Sequence, residues 1–217
     1  MRIEEEIKLD YSDVLFRPKR STLKSRKDVD LNRKYTFKHS RSSWKGIPII
    51  ASNMDGVGEI DVAKKLTSHK LMTALTKQHD INQIGTIYKK NIFFDSIALS
   101  CGTSKDSYNR LNSILKKYPK FKFICIDVAN GYSENFSNFV SEVRKKYPKK
   151  TIIAGNVVTA DMTQELVLSG ADIVKVGIGP GSVCTTRIQT GVGYPQLSAV
   201  MECADAAHGL GAHIIAD

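Results

Sequence analysis

Thr151-Ile-Ile-Ala-Gly-Asn-Val-Val-Thr-Ala-Asp-Met-Thr-Gln-Glu-Leu-Val-Leu-Ser-Gly-Ala-Asp-Ile-Val-Lys-Val176 contains two apolar runs separated by a segment of helical period. The runs occupy 151–154 and 173–176, and the helical segment occupies 161–169. Both runs are continuously apolar rather than alternating, which is typical of parallel strands covered on both faces. The stretch therefore predicts one strand–helix–strand unit of a parallel α/β fold.

The same pattern recurs along the chain from about residue 47. Strands are predicted at 47–52, 71–75, 97–100, 121–128, 151–154, 173–176 and 213–216. Helices are predicted between them at 60–68, 81–90, 106–118, 133–147, 161–169 and 197–209. Polar residues and glycines collect directly after the strands, at the rim where barrel enzymes build their sites. No G-x-G-x-x-G motif follows an early strand, so we favour a (β/α)8 TIM barrel over an open doubly wound sheet.

The whole chain, 1–217, is predicted to form a single incomplete barrel domain. Strands 1–7 lie in 47–217, and the barrel is expected to be truncated after about strand 7, because such barrels need about 250 residues. The polar segment 1–46 is expected to cap the bottom of the barrel or to lie on a neighbouring subunit. Four aromatic residues of this segment are available as anchors, namely Phe16, Tyr35, Phe37 and Trp44.

Composition narrows the class of protein. Hydrophobic residues make up 41% and charged residues 25% of the chain, as in soluble globular proteins. No apolar run reaches the roughly 20 residues of a membrane span, so we expect a cytoplasmic protein with no membrane partner. Residues 151–217 hold two basic and six acidic side chains, a net charge of −4. Because the whole chain carries a net charge of +10, residues 1–150 carry +14. The lysine runs 116–120 and 144–150 end predicted helices and favour a solvated face over a nucleic-acid site.

The candidate chemistry lies in Lys175-Val-Gly-Ile-Gly-Pro-Gly-Ser-Val-Cys-Thr-Thr-Arg187. Its glycines allow backbone carbonyls to turn inward, which suits a hard cation, here potassium. Cys184 follows on a loop beyond a strand, where Thr186 can relay protons and Arg187 can favour the thiolate. We therefore predict that Cys184 is a nucleophile. The other three cysteines are predicted to be structural: Cys101, Cys125 and Cys203.

Several segments carry a resemblance to one family. The loop 179–187 resembles the catalytic loop of the IMP dehydrogenase/GMP reductase family, and 51–57 and 154–158 match further motifs of that family. Ile126-Asp-Val-Ala-Asn-Gly-Tyr-Ser-Glu134 resembles its reductase branch, as do 190–200 and 202–209. The N-terminal stretch 13–26 matches as well.

The resemblance implies NADPH-dependent reductive deamination of GMP to IMP and ammonia, a step of purine salvage. Cys184 would attack C2 of the purine ring and expel ammonia, which leaves a covalent thioimidate. Hydride from NADPH would then reach C2 and release IMP. Thr186 would assist proton transfer to the leaving amine, together with a glutamate beyond residue 217. A homotetramer is implied for the full-length protein.

The resemblance also implies the binding residues. NADPH would contact Ser25 and Arg26 from a neighbouring subunit, and Lys77, Asp127, Val128, Ala129, Ile178 and Gly179. The nucleotide would contact Met54, Asn156 and Asp217. Potassium would be held by Gly179, Gly181 and Cys184, with Arg187 near that site.

The chain departs from the family pattern at two places on the predicted rim. Gly56 and Glu59 replace the usual threonines, and Thr76 and Gln78 replace the usual histidines, so cofactor affinity is expected to change. Three alternatives stay open. They are an IMP dehydrogenase that oxidises IMP to XMP with NAD, a truncated inactive reductase fragment, and a basic nucleic-acid binder as the weakest. For the 217-residue chain alone we predict no turnover.

Overall fold

The computed structural model of the chain describes residues 3, 5–89 and 94–217. The strands are β1 (Arg33–Thr36), β2 (Ser43–Gly46), β3 (Ile50–Ala51), β4 (Met72–Leu75), β5 (Ile97–Cys101), β6 (Phe123–Asp127), β7 (Thr151–Val157), β8 (Ile173–Val176) and β9 (His213–Ala216). The α-helices are α1 (Ile60–Ser68), α2 (Ile81–Lys89), α3 (Lys105–Lys117), α4 (Glu134–Lys146), α5 (Ala160–Leu168), α6 (Thr186–Thr190) and α7 (Gln196–Gly209). Among the described residues, no helix is both long and apolar enough to cross a membrane.

Strands β3 to β9 form one parallel sheet in which each strand pairs with its neighbours in chain order. The sheet is curled, as a contact between side chains that follow its first and last strands shows. The Ser52 hydroxyl donates to the Asp217 carboxylate across a distance of 3.5 Å. This curled α/β sheet confirms the predicted barrel, with seven of the eight strands of a (β/α)8 barrel.

Alternate strand residues supply two separate cores. Outward residues such as Ile124 and Ile126 of β6 pack under the helices in the larger cluster. Inward residues such as Phe123 and Cys125 fill the barrel interior. The same alternation turns Asp127, at the end of β6, toward the barrel axis. The strands therefore carry their last inward side chains to the rim.

An antiparallel hairpin, which the sequence analysis did not predict, closes the bottom of the barrel. Strands β1 and β2 pair with Tyr35 opposite Trp44. Phe37 and Trp44 are buried in the barrel interior, where the Phe37 ring meets Phe123 edge-on at 5.5 Å. This places the second half of the 1–46 segment as a bottom cap.

The buried carboxylate of Asp172 fastens that hairpin to the barrel. It accepts hydrogen bonds from the backbone nitrogens of His39 at 2.7 Å and Ser40 at 3.1 Å. It also accepts from Ile152 N at 3.0 Å and from the Arg144 guanidinium at 2.6 Å. One fully buried carboxylate thus joins the hairpin turn, β7 and α4.

The first half of the 1–46 segment differs from the expectation that Phe16 is an anchor. Every residue from 11 to 31 is exposed, and the side chains of Leu15 and Phe16 are 99% and 104% exposed. Within this chain Phe16 therefore anchors nothing. We call residues 11–31 the N-terminal arm.

Most predicted boundaries agree with the structure to within two residues, with three differences. The first strand is confined to Ile50–Ala51, because Pro48 has no N–H for a ladder. Strand β7 continues to Val157, past the predicted end at residue 154. Helix α6 was not predicted at all. Lys90, the predicted end of α2, lies outside the described residues.

Candidate functional site

A cavity of about 280 Å³ opens at the carboxyl ends of the strands, and we call it the rim cavity. Its walls come from the carboxyl ends of β6, β7 and β8 and from the segments that follow β3, β6, β8 and β9, so residues distant in sequence meet there. Nine residues predicted from the sequence line it: Met54, Asp127, Val128, Ala129, Asn156, Ile178, Gly179, Thr186 and Asp217. The three predicted nucleotide residues and five of the eight predicted cofactor residues therefore share one cavity.

Lys175 occupies the centre of this rim, although no function was predicted for it. Its side chain is only 8% exposed and makes an ion pair with Asp127. Its ammonium also lies 3.2 Å from the Asp217 carboxylate and 3.3 Å from Asn53 Oδ1. The side-chain amide of Asn156 donates a hydrogen bond to Asp217 Oδ2 at 2.5 Å, the same oxygen that pairs with Lys175. One cation thus joins a predicted cofactor carboxylate to a predicted nucleotide carboxylate.

Burial and charge act on Lys175 in opposite directions. Burial is the largest single influence and lowers its pKa, whereas the carboxylates of Asp127 and Asp217 raise it. Together they hold the pKa of Lys175 above its ordinary value of 10.5, so the ammonium stays charged.

A smaller cavity of about 150 Å³ adjoins the rim cavity and shares Asn53 and Asp127 with it. We call it the side cavity. Lys77 and Gln78 line it, which brings predicted cofactor residue Lys77 next to Asp127. The hydroxyl of Thr76, also in its wall, is buried without a hydrogen-bond partner among the described residues. A buried polar atom left unpaired beside a cavity fits a polar ligand.

Cys184 lies outside the rim cavity, on the loop between β8 and α6. Its Sγ is 3.4 Å from Oγ1 of Thr186, a residue that lines the cavity. The hydroxyl and then the backbone N–H of Thr186 lower the pKa of Cys184 below its ordinary value of 9.0. The positive charge of Arg187 acts in the same direction. The loop therefore favours the thiolate, the reactive form of cysteine.

The remaining three cysteines are buried, as predicted. Burial raises the pKa of Cys101 and of Cys125 to about 12, and it also raises the pKa of Cys203. These thiols stay protonated and unreactive near neutral pH. Of the four cysteines, only Cys184 has a lowered pKa.

The predicted potassium residues lie in one tight turn. The Gly181 carbonyl accepts a hydrogen bond from the Cys184 backbone nitrogen at 3.0 Å, and Gly179 adopts a left-handed φ of 62°. Backbone carbonyl oxygens are ligands that hard cations prefer, so the donor chemistry fits. The guanidinium of Arg187 is engaged elsewhere: it donates to the carbonyls of Ile178 and Tyr194. A cation at this turn stays a prediction.

Ser25 and Arg26 are not brought to either cavity of this chain. Both lie in the exposed N-terminal arm, where the Ser25 hydroxyl accepts from the backbone nitrogen of Lys27 at 3.2 Å. This position is compatible with the prediction that they act on a neighbouring subunit, and it leaves that prediction untested.

The residues that depart from the family pattern have a backbone conformation or contacts that accommodate them in this chain. Gly56 takes a φ of 75°, a conformation that glycine adopts more readily than threonine. The Glu59 carboxylate lies 3.2 Å from His79 Nε2, and the backbone nitrogen of Thr76 donates to Gly58 O at 2.9 Å. Both substituted segments are therefore joined to each other beside the side cavity.

Comparison with known proteins places these observations in a family. Residues 8–217 match the model of the IMP dehydrogenase / GMP reductase domain. The chain is 58% identical over 219 residues to the GMP reductase of Yersinia enterocolitica and 58% identical over 220 residues to that of Klebsiella pneumoniae. It is 55% identical over 219 residues to the GMP reductase of Aeromonas hydrophila.

Each of these alignments covers 100% of this chain and 63% of the relative, so the chain spans a little under two thirds of the length of the curated relatives it matches. The family match includes both rim carboxylates, Asp127 and Asp217, and the Cys184 loop. With the barrel and its rim cavity, this match over most of its length means that the chain belongs to the IMP dehydrogenase / GMP reductase family.

Proposed function

We propose that this chain carries the nucleophile and the cofactor rim of an NADPH-dependent GMP reductase, which converts GMP into IMP and ammonia in purine salvage. The observation that supports this most strongly is the position of Cys184. Its pKa is lowered by Thr186, and Thr186 also lines the cavity that holds Asp127 and Asp217. The similarity to proteins named GMP reductase favours the reductive direction.

The proposed reaction uses Cys184 twice. Its thiolate forms a bond to C2 of the guanine ring, and the C2 amine leaves as ammonia after a proton reaches it through Thr186. A thioimidate remains between Cys184 and the purine. NADPH, when bound, would supply the hydride that replaces the carbon–sulfur bond at C2, and Cys184 would leave C2 as a thiolate as IMP and NADP⁺ form.

The residues proposed to hold NADPH lie on both cavities. Lys77 offers a cation for a phosphate group, and Val128, Ile178 and Gly179 offer an apolar wall for the nicotinamide. The unpaired hydroxyl of Thr76 offers a hydrogen bond in the side cavity. Asp217 and Asn156, which are already bonded to each other, are proposed to bind the nucleotide. Potassium is proposed at the carbonyls of Gly179, Gly181 and Cys184.

The N-terminal arm supports the proposal of a homotetramer. Its apolar side chains Leu15 and Phe16 are fully exposed, and large apolar side chains left together in water favour a protein–protein contact. We propose that the arm packs on a neighbouring subunit, where Ser25 and Arg26 reach the NADPH of that subunit. A cytoplasmic location completes the proposal.

Binding experiments test the cofactor part of the proposal. The binding of NADPH and of NADH to the chain is measured by nicotinamide fluorescence in separate titrations. We expect NADPH to bind more tightly, and Lys77→Ala to weaken NADPH binding by about tenfold, the effect of about 1.4 kcal/mol. Lys65→Ala removes an exposed lysine from α1 as the matched control and should change nothing. Equal binding of NADH and NADPH would contradict the cofactor assignment.

Turnover assays on the full-length protein separate the two enzymes of the family. A GMP reductase lowers the absorbance of NADPH when GMP is added, whereas an IMP dehydrogenase raises the absorbance of NADH when IMP is added. Gain of absorbance with IMP alone would reject the reductase. The 217-residue chain is predicted to show no turnover by itself, and NADPH oxidation that disappears in Cys184→Ala would overturn that prediction.

A further inference from the structure

We infer that residues 8–10 form a latch that positions the loop carrying Cys184, with Asp10 as the main positioning residue. The inference rests on the proposed function, because it gives the latch a role through the nucleophile. It concerns a part of the chain to which the sequence analysis assigned no role in the site.

The segment before the arm is docked on the first turns of α7. Leu9 and Ser198 bond twice: Leu9 N donates to Ser198 Oγ at 2.9 Å, and Ser198 N donates to Leu9 O at 3.1 Å. The Lys8 ammonium pairs with Glu202 at 2.9 Å. The chain changes from this anchored state to the exposed arm directly after Asp10.

The Asp10 carboxylate connects two further elements. One oxygen accepts from the backbone nitrogen of Gln196, at the start of α7, at 2.5 Å. The other oxygen accepts from the Arg187 guanidinium at 3.2 Å. Asp10 therefore holds Arg187 against the beginning of α7.

Arg187 in turn closes the Cys184 loop on itself. Its Nε donates to the carbonyl of Ile178 at 3.1 Å, and a terminal nitrogen donates to the carbonyl of Tyr194. These carbonyls lie on opposite sides of Cys184 in the sequence. A Cβ at Gly193 would approach Arg187 Cγ to 2.6 Å, so the side chain packs directly on the backbone. Arg187 is a clamp, and among the described residues Asp10 is the carboxylate that pairs with it.

Arg187 affects the contacts of the Cys184 thiol through its neighbour Thr186. Because Thr186 directly precedes Arg187 in the chain, the position of Arg187 restricts where the Thr186 hydroxyl lies relative to Cys184 Sγ. When Asp10 is removed, the partly exposed guanidinium loses its anionic partner and moves toward water. The loop then loosens, and the contact between Thr186 and Cys184 Sγ is lost. The loss of a nearby negative charge alone would not slow the reaction of Cys184 with an alkylating reagent. A slower reaction therefore indicates a loss of positioning rather than a change of charge.

The test is the rate of Cys184 alkylation by iodoacetamide at pH 7, followed by intact mass on the 217-residue chain. The other three cysteines are buried, and Cys184→Ser supplies the background. We expect Asp10→Ala to slow alkylation by about three- to tenfold, because the loop that carries Cys184 is no longer held in one position. Asp10→Glu should restore most of the rate. Glu5→Ala, in an exposed carboxylate of the same segment, should leave the rate unchanged.

Asp10→Asn keeps the shape of the side chain and repeats the test with less disturbance of the fold. A change in the same direction supports the latch, and an unchanged or faster rate in both variants overturns it. A loss of thermal stability with an unchanged alkylation rate also overturns it, because the contact would then be only structural. If wild-type Cys184 itself reacts like an ordinary thiol, the proposed function fails instead.

Discussion

Lys175→Met tests whether the rim is held together by one buried cation. The substitution keeps the length of the side chain and removes the ammonium that bonds Asp127, Asp217 and Asn53. Two carboxylates then face the same space without a counterion. Removing one partner of a buried ion pair costs about 3–5 kcal/mol. Because Asp127 and Asp217 are 29% and 24% exposed, water solvates them in part, and we expect about 3 kcal/mol.

The assay is urea unfolding followed by circular dichroism at neutral pH. Lys122→Met is the matched control, since Lys122 also pairs with an aspartate, Asp95 at 2.8 Å, but both side chains are about half exposed. The control should change the free energy of unfolding by less than about 1 kcal/mol. Adding Asp127→Asn and Asp217→Asn to Lys175→Met should recover most of the loss, because no unpaired charge then remains.

A Lys175→Met chain as stable as the Lys122→Met chain would refute the reasoning. That result would mean that the rim carboxylates are solvated well enough to need no cation. A more stable variant would mean that the burial of Lys175 costs more than its two partners return. In either case Lys175 would lose its assigned part in holding the rim.

Three further predictions concern the thiol and the bottom cap. Thr186→Val should raise the pKa of Cys184 toward 9.0 and slow iodoacetamide alkylation at pH 7 by about three- to tenfold; an unchanged rate would contradict the assigned hydrogen bond. Asp172→Asn should cost about 3–5 kcal/mol in urea unfolding, because it leaves the Arg144 guanidinium without its buried partner; a cost below about 1 kcal/mol would contradict this. Burial lowers the pKa of His39 below 6.5, so the unfolded chain binds a proton first and stability should fall as the pH drops below about 6.5. A His39→Gln chain should lose that part of the pH dependence, and an unchanged profile would contradict the assignment.

The fold could be predicted because each strand–helix unit is locally encoded. Continuous apolar runs such as 173–176 indicate strands covered on both faces, and β8 has these same bounds. The β1–β2 hairpin was missed because its strands are short and largely polar outside their aromatic residues. It is stabilised by contacts that no local pattern reveals, among them the hydrogen bond from His39 to Asp172, 133 positions away.

The sequence predicted which residues form the candidate site but not the contacts between them. Motifs identified Asp127, Asn156 and Asp217, and the rim cavity collects all three. Lys175 was missed, although a signal was present: it is a charged residue between Val174 and Val176 in an apolar run, where a cation needs a buried partner. The identity of its partners depends on which side chains the curled sheet brings to Lys175 at the rim, and the apolar run alone does not show them.

The latch and the rim together suggest why this barrel places its chemistry on two different kinds of support. Asp127, Lys175 and Asp217 stand on or directly after strands, whose pleat fixes the direction of their side chains. Cys184 stands on a glycine-containing loop that has no strand to hold it. Such a loop needs stabilising contacts of its own. Arg187 supplies one within the loop by bonding the Ile178 carbonyl, and Asp10 of the N-terminal segment supplies another by bonding Arg187. The proposed nucleophile is then held by a few polar contacts, which a small movement can break. The residues proposed to bind the cofactor and the nucleotide, by contrast, are fixed by the sheet.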